Sequence, residues 1–213
     1  MTGEAGRRVT WFFDFISPFA YLHWQVVRDL EPWHVDCVPV LFAGLLKHHG
    51  HKGPAEIDAK RLFTYRHALW RARQAGIPMN FPPAHPFNPL PALRLCIAAG
   101  GSREVIDSLF AHIWRDGHRG DDASSLHDVA AGLGIHNVEA AIGDPSVKSR
   151  LARNTADALA AGVFGVPTLA VDGNLFWGDD STAMFRGYMA DPSLFRSPAM
   201  QHAADLPIAA RRK

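Results

Sequence analysis

Cysteine is nearly missing from this chain: Cys37 and Cys96 are the only two in 213 residues, and neither sits in redox or metal-ligand spacing. Dithiol chemistry of the Cys-x-x-Cys kind is therefore excluded, and two reduced, mostly buried thiols are expected. Charge of one sign is lacking as well. Lys and Arg total 22 against 21 Asp and Glu, a net charge of +1, which argues against a nucleic-acid binder with a broad basic surface. No apolar run approaches the roughly 20 residues of a membrane span, and no signal-peptide core opens the chain, so a soluble cytoplasmic protein is expected. Internal repeats and low-complexity segments are absent. The first eight residues read as a ragged start, and Arg211-Arg212-Lys213 as a solvated tail. What is present is ordinary for a globular protein, 47% hydrophobic and 20% charged. The length suits one domain, or one domain carrying a large insertion.

The chain is organised around Trp11-Phe12-Phe13-Asp14-Phe15-Ile16-Ser17-Pro18-Phe19-Ala20-Tyr21-Leu22. The first half is a β-branched and aromatic run; the second is a helix start, with Ser17 placed to cap and Pro18 at the first helical position, where a missing N–H costs nothing. A strand thus runs straight into a helix with Ser17 at the joint. Free backbone N–H groups and the helix dipole make that joint a site for an anion. Either the Ser17 side chain acts as a nucleophile, or an anion from outside is bound. The second is favoured, because Ile16 and Pro18 flank Ser17 where a nucleophile elbow would carry glycines.

The strand Val9 to Ile16, a helix to about Leu30 and an alternating strand His34 to Leu41 form a βαβ unit with a right-handed crossover. Strand character then stops for more than a hundred residues. Helices are expected over Ala55–Ala75, Leu90–Ala99, Arg103–Asp116, Ser125–Leu133 and Pro145–Ala161, with an ordered proline-rich loop from Phe81 to Pro89. Lys47, His48, His49, His51 and Lys52 make a dense cationic loop without a convincing carboxylate or cysteine partner for a metal. Val166 to Asn174 restores a strand, with Asp172-Gly173 turning it into Leu175-Phe176-Trp177. Asp179 or Asp180 caps a last helix to about Met189, and the chain beyond Asp191 reads as irregular.

Three separated motifs together resemble the 2-hydroxychromene-2-carboxylate isomerases and the related kappa-class glutathione transferases: Ser17-Pro18-Phe19-Ala20-Tyr21-Leu22, Gly162-Val163-Phe164-Gly165-Val166-Pro167-Thr168, and Phe176-Trp177-Gly178-Asp179-Asp180-Ser181. Gly44 to Pro54 looks like that family's glutathione loop. The resemblance implies an α/β, thioredoxin-like fold of the DsbA type with a large all-helical insertion. Residues 7–43 and 160–191 would form the thioredoxin-like part, 44–159 the insertion and 192–213 a tail.

The same resemblance implies glutathione as a recycled nucleophilic cofactor, a small aromatic substrate and a homodimer. It also implies a cis Val166–Pro167 bond, against a base rate of about 5% for any X-Pro bond. The Val166 N–H and C=O would then pair with the cysteinyl unit, bringing its sulfur to the Ser17 hydroxyl. Asp180 would take the γ-glutamyl ammonium and Ser181 its carboxylate, although the family often has a basic residue where Ser181 stands. Lys47 resembles a lysine placed near the substrate carboxylate or the sulfur. His51 falls where kappa-class relatives carry an asparagine. Phe19, His85, Phe87 and Asn88 are candidates for the substrate's walls. A thiol near pKa 8.5, helped by about 0.3 to 2 kcal/mol from the dipole and about 1.5 to 3 from the hydroxyl, falls to neutrality or below. Isomerisation is the reading preferred over conjugation with another electrophile and over a non-catalytic peptide-binding module.

Overall fold

A computed structural model describes residues 7–210. Arg211 to Lys213 lie outside the described residues, as does most of the expected ragged start; Arg7 and Arg8 pair with Asp172 and Asp36. The aromatic run forms β1 (Val9–Phe13), followed by α1 (Pro18–Val27) and β2 (Val35–Pro39). β1 and β2 pair in parallel from Val9↔Val35 to Phe13↔Pro39, as a crossover helix requires. β1 ends at Phe13 rather than Ile16, because Asp14 turns back: its carbonyl and carboxylate accept the N–H groups of Ser17 and Ile16.

The cationic segment departs from the loop expected there. Phe42–His49 coils into α2, closed by Gly50 at φ 63. Its first N–H, that of Phe42, donates to the Asp14 carboxylate at 2.8 Å, a cap supplied from 28 residues upstream that no local pattern announces. α3 (Asp58–Gln74), α4 (Leu90–Ala98) and α5 (Arg103–Phe110) follow, and α5 runs on into a π-helical turn, Ala111–Arg115. α6 (His127–Gly132), α7 (Val138–Gly143) and α8 (Pro145–Ala160) complete the stretch before β3 (Thr168–Val171) and β4 (Asn174–Trp177). The hairpin between these strands has positive φ at both Asp172 (51) and Gly173 (77), the geometry a two-residue turn needs to match strand twist. The sheet runs β2-β1-β3-β4, with β3 antiparallel to β1 and to β4.

α9 (Thr182–Ala190) follows, and neither Asp179 nor Asp180 caps it: no side chain does. Beyond Asp191 the expected irregular chain is instead partly helical, with a 3-10 turn at Leu194–Arg196 and α10 (Pro198–Ala204). Pro198 at the first helical position lets that helix start. α10 buries none of its residues.

Alternation along the strands divides the core in two. Val9, Trp11 and Phe13 face one side with Leu169, Val171 and Phe176, while Phe12 faces the other with Val40, Leu45, Ala158, Val163 and Val166. The first cluster continues without a break into the helices through Leu93, Leu95, Ile106, Phe110, Ile113 and Trp114. Phe110 sits at its centre, with ring centroids 4.7 to 6.4 Å from Trp11, Phe13, Phe15, Tyr21 and Trp24. Such pairs add about 0.5 to 1.5 kcal/mol beyond the area they bury. Phe110→Ala should therefore cost about 3 to 5 kcal/mol in urea denaturation, whereas Phe63→Ala, at a side chain 66% exposed on α3, should stay within about 0.5 kcal/mol. Equal losses would deny Phe110 its central place.

Candidate functional site

Ser17 is buried and caps α1 with extended backbone, φ −90 and ψ 115. Its Oγ accepts the Ala20 N–H at 3.2 Å, so the hydroxyl hydrogen is left to donate. The first turn of α1 carries no acidic residue to oppose an anion.

The Phe15 and Ile16 carbonyls of the corner before Ser17 are held by remote side chains. The Phe15 carbonyl accepts Trp114 Nε1–H at 2.7 Å from the π-helical turn. The Ile16 carbonyl lies 2.8 Å from His85 Nε2. Because a carbonyl only accepts, Nε2 carries the ring proton, and Nδ1 faces the Tyr65 hydroxyl at 2.7 Å. Burial pushes His85 below its ordinary pKa, with the Ile16 contact partly offsetting this, so the ring is neutral and the tautomer set. The one Tyr65 hydrogen is shared between Nδ1 and the His85 carbonyl, 2.6 Å from the hydroxyl.

Asp14 is the hub. Fully buried, it accepts Ile16 N–H at 3.1 Å and Phe42 N–H at 2.8 Å through its two carboxylate oxygens. Burial raises its pKa from 3.8 to about 7, against the lowering effect of backbone N–H groups from Phe42, Ile16 and Phe15. A lone carboxylate inside an aromatic run was the sequence signal for this role, and the motif reading passed over it.

The Val166–Pro167 bond is cis, as expected. The β1–β3 pairing runs to Phe12↔Thr168, two residues after Val166 in the chain. Among the described residues, neither the N–H nor the C=O of Val166 has a hydrogen-bond partner. That leaves the peptide edge just before β3 without a partner. Trp177 packs against this loop: a Cβ on Gly165 would come within 2.5 Å of its Nε1, so a larger residue there would displace the indole.

Of the paired aspartates, Asp179 is taken: Arg71 of α3 bonds its Oδ1 at 2.9 Å. Burial raises the Asp179 pKa, and the Arg71 charge works against that rise. Asp180 is exposed and in no ion pair among the described residues. The Ser181 hydroxyl and N–H both donate to the Gly178 carbonyl, at 2.8 and 3.3 Å, so neither donor is turned to a ligand carboxylate as the sequence led one to expect, and the Ser181 oxygen is left as an acceptor. Lys47 and His51 stand exposed at and beyond the end of α2, and no hydrogen bond or ion pair joins them to Ser17, Val166 or Asp180. Phe19 is half-buried, with its ring centroid 5.7 Å from that of His67. The Asn88 side-chain oxygen accepts the Leu90 N–H at the start of α4. Phe87 lines a cleft of about 290 Å³ with Pro82, Pro83, Ala84, Arg119, Gly120 and Asp121.

Both cysteines are free; burial pushes the Cys37 thiol up to about 11 and raises that of buried Cys96 further. Neither is a nucleophile at neutral pH. Among the described residues, no cluster of His, Cys, Asp or Glu is placed to hold a metal ion, and no helix is long and apolar enough to cross a membrane.

A βαβ unit with Ser-Pro at its strand-to-helix corner and a cis-proline loop alongside defines a thioredoxin-like protein that lacks the dithiol. The chain belongs to the DSBA-like thioredoxin domain family, whose family model matches residues 8–190. It is 24% identical to glutathione S-transferase kappa 2 of Caenorhabditis elegans, over 89% of this chain and 94% of that one. It is also 24% identical to the 2-hydroxychromene-2-carboxylate isomerase of Sphingobium xenophagum, over 87% and 99% respectively. Among solved structures, a 2-hydroxychromene-2-carboxylate isomerase superposes with a TM-score of 0.76 at 22% identity, covering 94% of this chain and all of that one. The sequence resemblance and the fold expected from it are both borne out.

The Asp14 arrangement sets a pH dependence. Its folded pKa of about 7 lies above the ordinary 3.8, so between those values the folded state binds more protons than the unfolded one, and its contribution to stability falls as pH rises through the window. Asp14→Asn sets an amide –NH2 against a backbone N–H and should cost about 1 to 3 kcal/mol at pH 5. In urea denaturation that deficit should narrow towards pH 8, because only the wild type bears the buried charge. A deficit constant from pH 4 to 8 would give Asp14 an ordinary pKa.

Proposed function

We propose that this protein is a glutathione-dependent isomerase acting on 2-hydroxychromene-2-carboxylate or a similar aromatic-degradation intermediate. The observation that carries the reading is the Ser17 hydroxyl, held at a helix N-terminus by Ala20 N–H with its own hydrogen undirected. Relatives named as the isomerase and as a kappa transferase, matched over nearly their whole lengths, support the same class.

The residues present suit a γ-glutamyl-cysteinyl peptide. Val166 offers one free N–H and one free C=O, the pair an extended peptide needs. Asp180 offers an unpaired carboxylate to an ammonium, and the Ser181 oxygen a further polar contact. When bound, glutathione supplies a nucleophilic sulfur that adds to the conjugated substrate, permits rotation about the former double bond and leaves unchanged. The chain's part is to lower the cost of the sulfur's charge. Ser17 donates its hydrogen to the anion, and the α1 dipole adds about 0.3 to 2 kcal/mol. The corner's remote clamps hold that donor still, so little reorganisation accompanies the reaction. Phe19 and the ring of His85 form the wall on which an aromatic substrate lies, and Lys47, exposed and in no ion pair among the described residues, serves the substrate carboxylate.

Ser17→Ala should leave the fold intact and raise the pKa of bound glutathione by about one to two pH units, the equivalent of a hydrogen bond to a charged group, as read by thiolate absorbance against pH. Turnover at neutral pH should fall about ten- to a hundredfold. An unchanged pKa would remove Ser17 from the mechanism. Incubation of enzyme, glutathione and the chromene should give reversible isomerisation with no loss of glutathione. A stable adduct would instead favour conjugation, the reaction named for the kappa relative.

A further inference from the structure

Beneath the Asp179–Ser181 turn lies a chain of hydrogen bonds with one allowed direction. Trp11 Nε1 lies 3.2 Å from His23 Nδ1, His23 Nε2 lies 3.2 Å from Thr182 Oγ1, and Thr182 Oγ1 lies 2.8 Å from the Asp179 carbonyl. An indole N–H only donates, so His23 Nδ1 must accept and Nε2 must carry the proton. That proton points at Thr182, whose own hydrogen then goes to the Asp179 carbonyl, which only accepts. His23 is buried among core aromatics, and protonating it would set two donors against each other at Nδ1. Burial first, and the nearby Arg71 charge second, lower its pKa from 6.5 to about 3. The ring is therefore neutral around neutral pH, where the chain keeps this one direction.

This arrangement ties the first turn of α9 back to the preceding 3-10 turn through the Asp179 carbonyl. No side chain caps the 3-10 turn or α9. The turn is held instead from below through Thr182 and from the side by Arg71 on Asp179. We propose that His23 and Thr182 are positioning residues for glutathione's γ-glutamyl end, fixing the Asp179–Ser181 turn so that the Asp180 carboxylate and Ser181 oxygen face the ligand's amino-acid group. The inference rests on the glutathione reading above. It assigns the selectivity for an α-amino-acid group to a relay rooted in β1, the strand that also carries the Ser17 corner. The two ends of the ligand would then be referenced to one rigid strand.

The test separates positioning from general stability, and this inference from the reading beneath it. Thr182→Val removes the relay hydroxyl at nearly constant shape; Thr182→Ser keeps it. By calorimetry, Thr182→Val should raise the glutathione Kd about three- to tenfold, the worth of one hydrogen bond, while the pKa of the bound thiol stays at the wild-type value. Thr182→Ser should bind like wild type. His23→Gln combined with Thr182→Val should cost no more than the worse single change, since both cut one relay. In the unliganded protein, amide exchange at Ser181 and Thr182 should quicken in Thr182→Val and not in Thr182→Ser. Wild-type Kd and wild-type exchange in Thr182→Val would overturn the relay. So would a Thr182→Ser variant as impaired as Thr182→Val. Faster exchange in Thr182→Val beside a wild-type protein that takes up no glutathione would keep the relay and remove the ligand.

Discussion

The structure depends on satisfying the backbone of a buried corner. Four residues, Asp14 to Ser17, leave the β1 ladder before α1 begins, and their peptide groups lie out of water. Each buried amide or carbonyl without a partner costs about 1 to 3 kcal/mol. The partners come from Trp114, 99 residues downstream of Phe15, and from His85, 69 residues downstream of Ile16. Both belong to the stretch between β2 and β3. The helices there are therefore more than a lid over one side of the sheet: they complete the corner on which Ser17 stands. This is why one hydrophobic cluster runs unbroken from Trp11 to Trp114.

Charge at the site follows from the same burial. Lysine and arginine are absent from the corner, and its one carboxylate, Asp14, titrates near neutrality because it is dry. An anion at Ser17 is stabilised only by a helix end, a hydroxyl and neutral hydrogen bonds. On the proposed reading, that moderation suits a sulfur that must both attack and depart. Nucleophilicity falls as thiol pKa falls, and the best attacking thiol has a pKa near ambient pH. A cation beside Ser17 would push the thiol well below that point, giving abundant but sluggish thiolate.

What the sequence made legible was local. The Ser-Pro helix start, the aromatic strand, the Asp172-Gly173 hairpin and the proline-rich loop each declare themselves within a few residues, and all four are in the structure. What it hid depended on distance. α2 is not legible locally because Gly44, Gly50 and a run of histidines dilute its pattern, while its cap, Asp14, lies far upstream. Asp179 looked like a capping residue until Arg71, 108 positions earlier, was found bound to it. His23 reads as one polar residue on an otherwise apolar helix, and only the fold brings Thr182 to it, 159 positions along.

The division of labour between the two aspartates shows how little geometry separates structure from function. Asp179 and Asp180 are adjacent in a 3-10 turn, where successive side chains point about 120° apart. One of them must face the body of the protein if the other faces solvent. Arg71 neutralises the inward one, so its burial is tolerable. The outward carboxylate then has no competing cation among the described residues, as the proposed ammonium contact requires. Removing the arginine would leave two carboxylates contending for one turn. Moving it one position along the pair would silence the site. The Arg71 contact and the Thr182 relay thus act on the same residue from two directions, and together they decide which of two chemically identical neighbours is left without a partner in the protein.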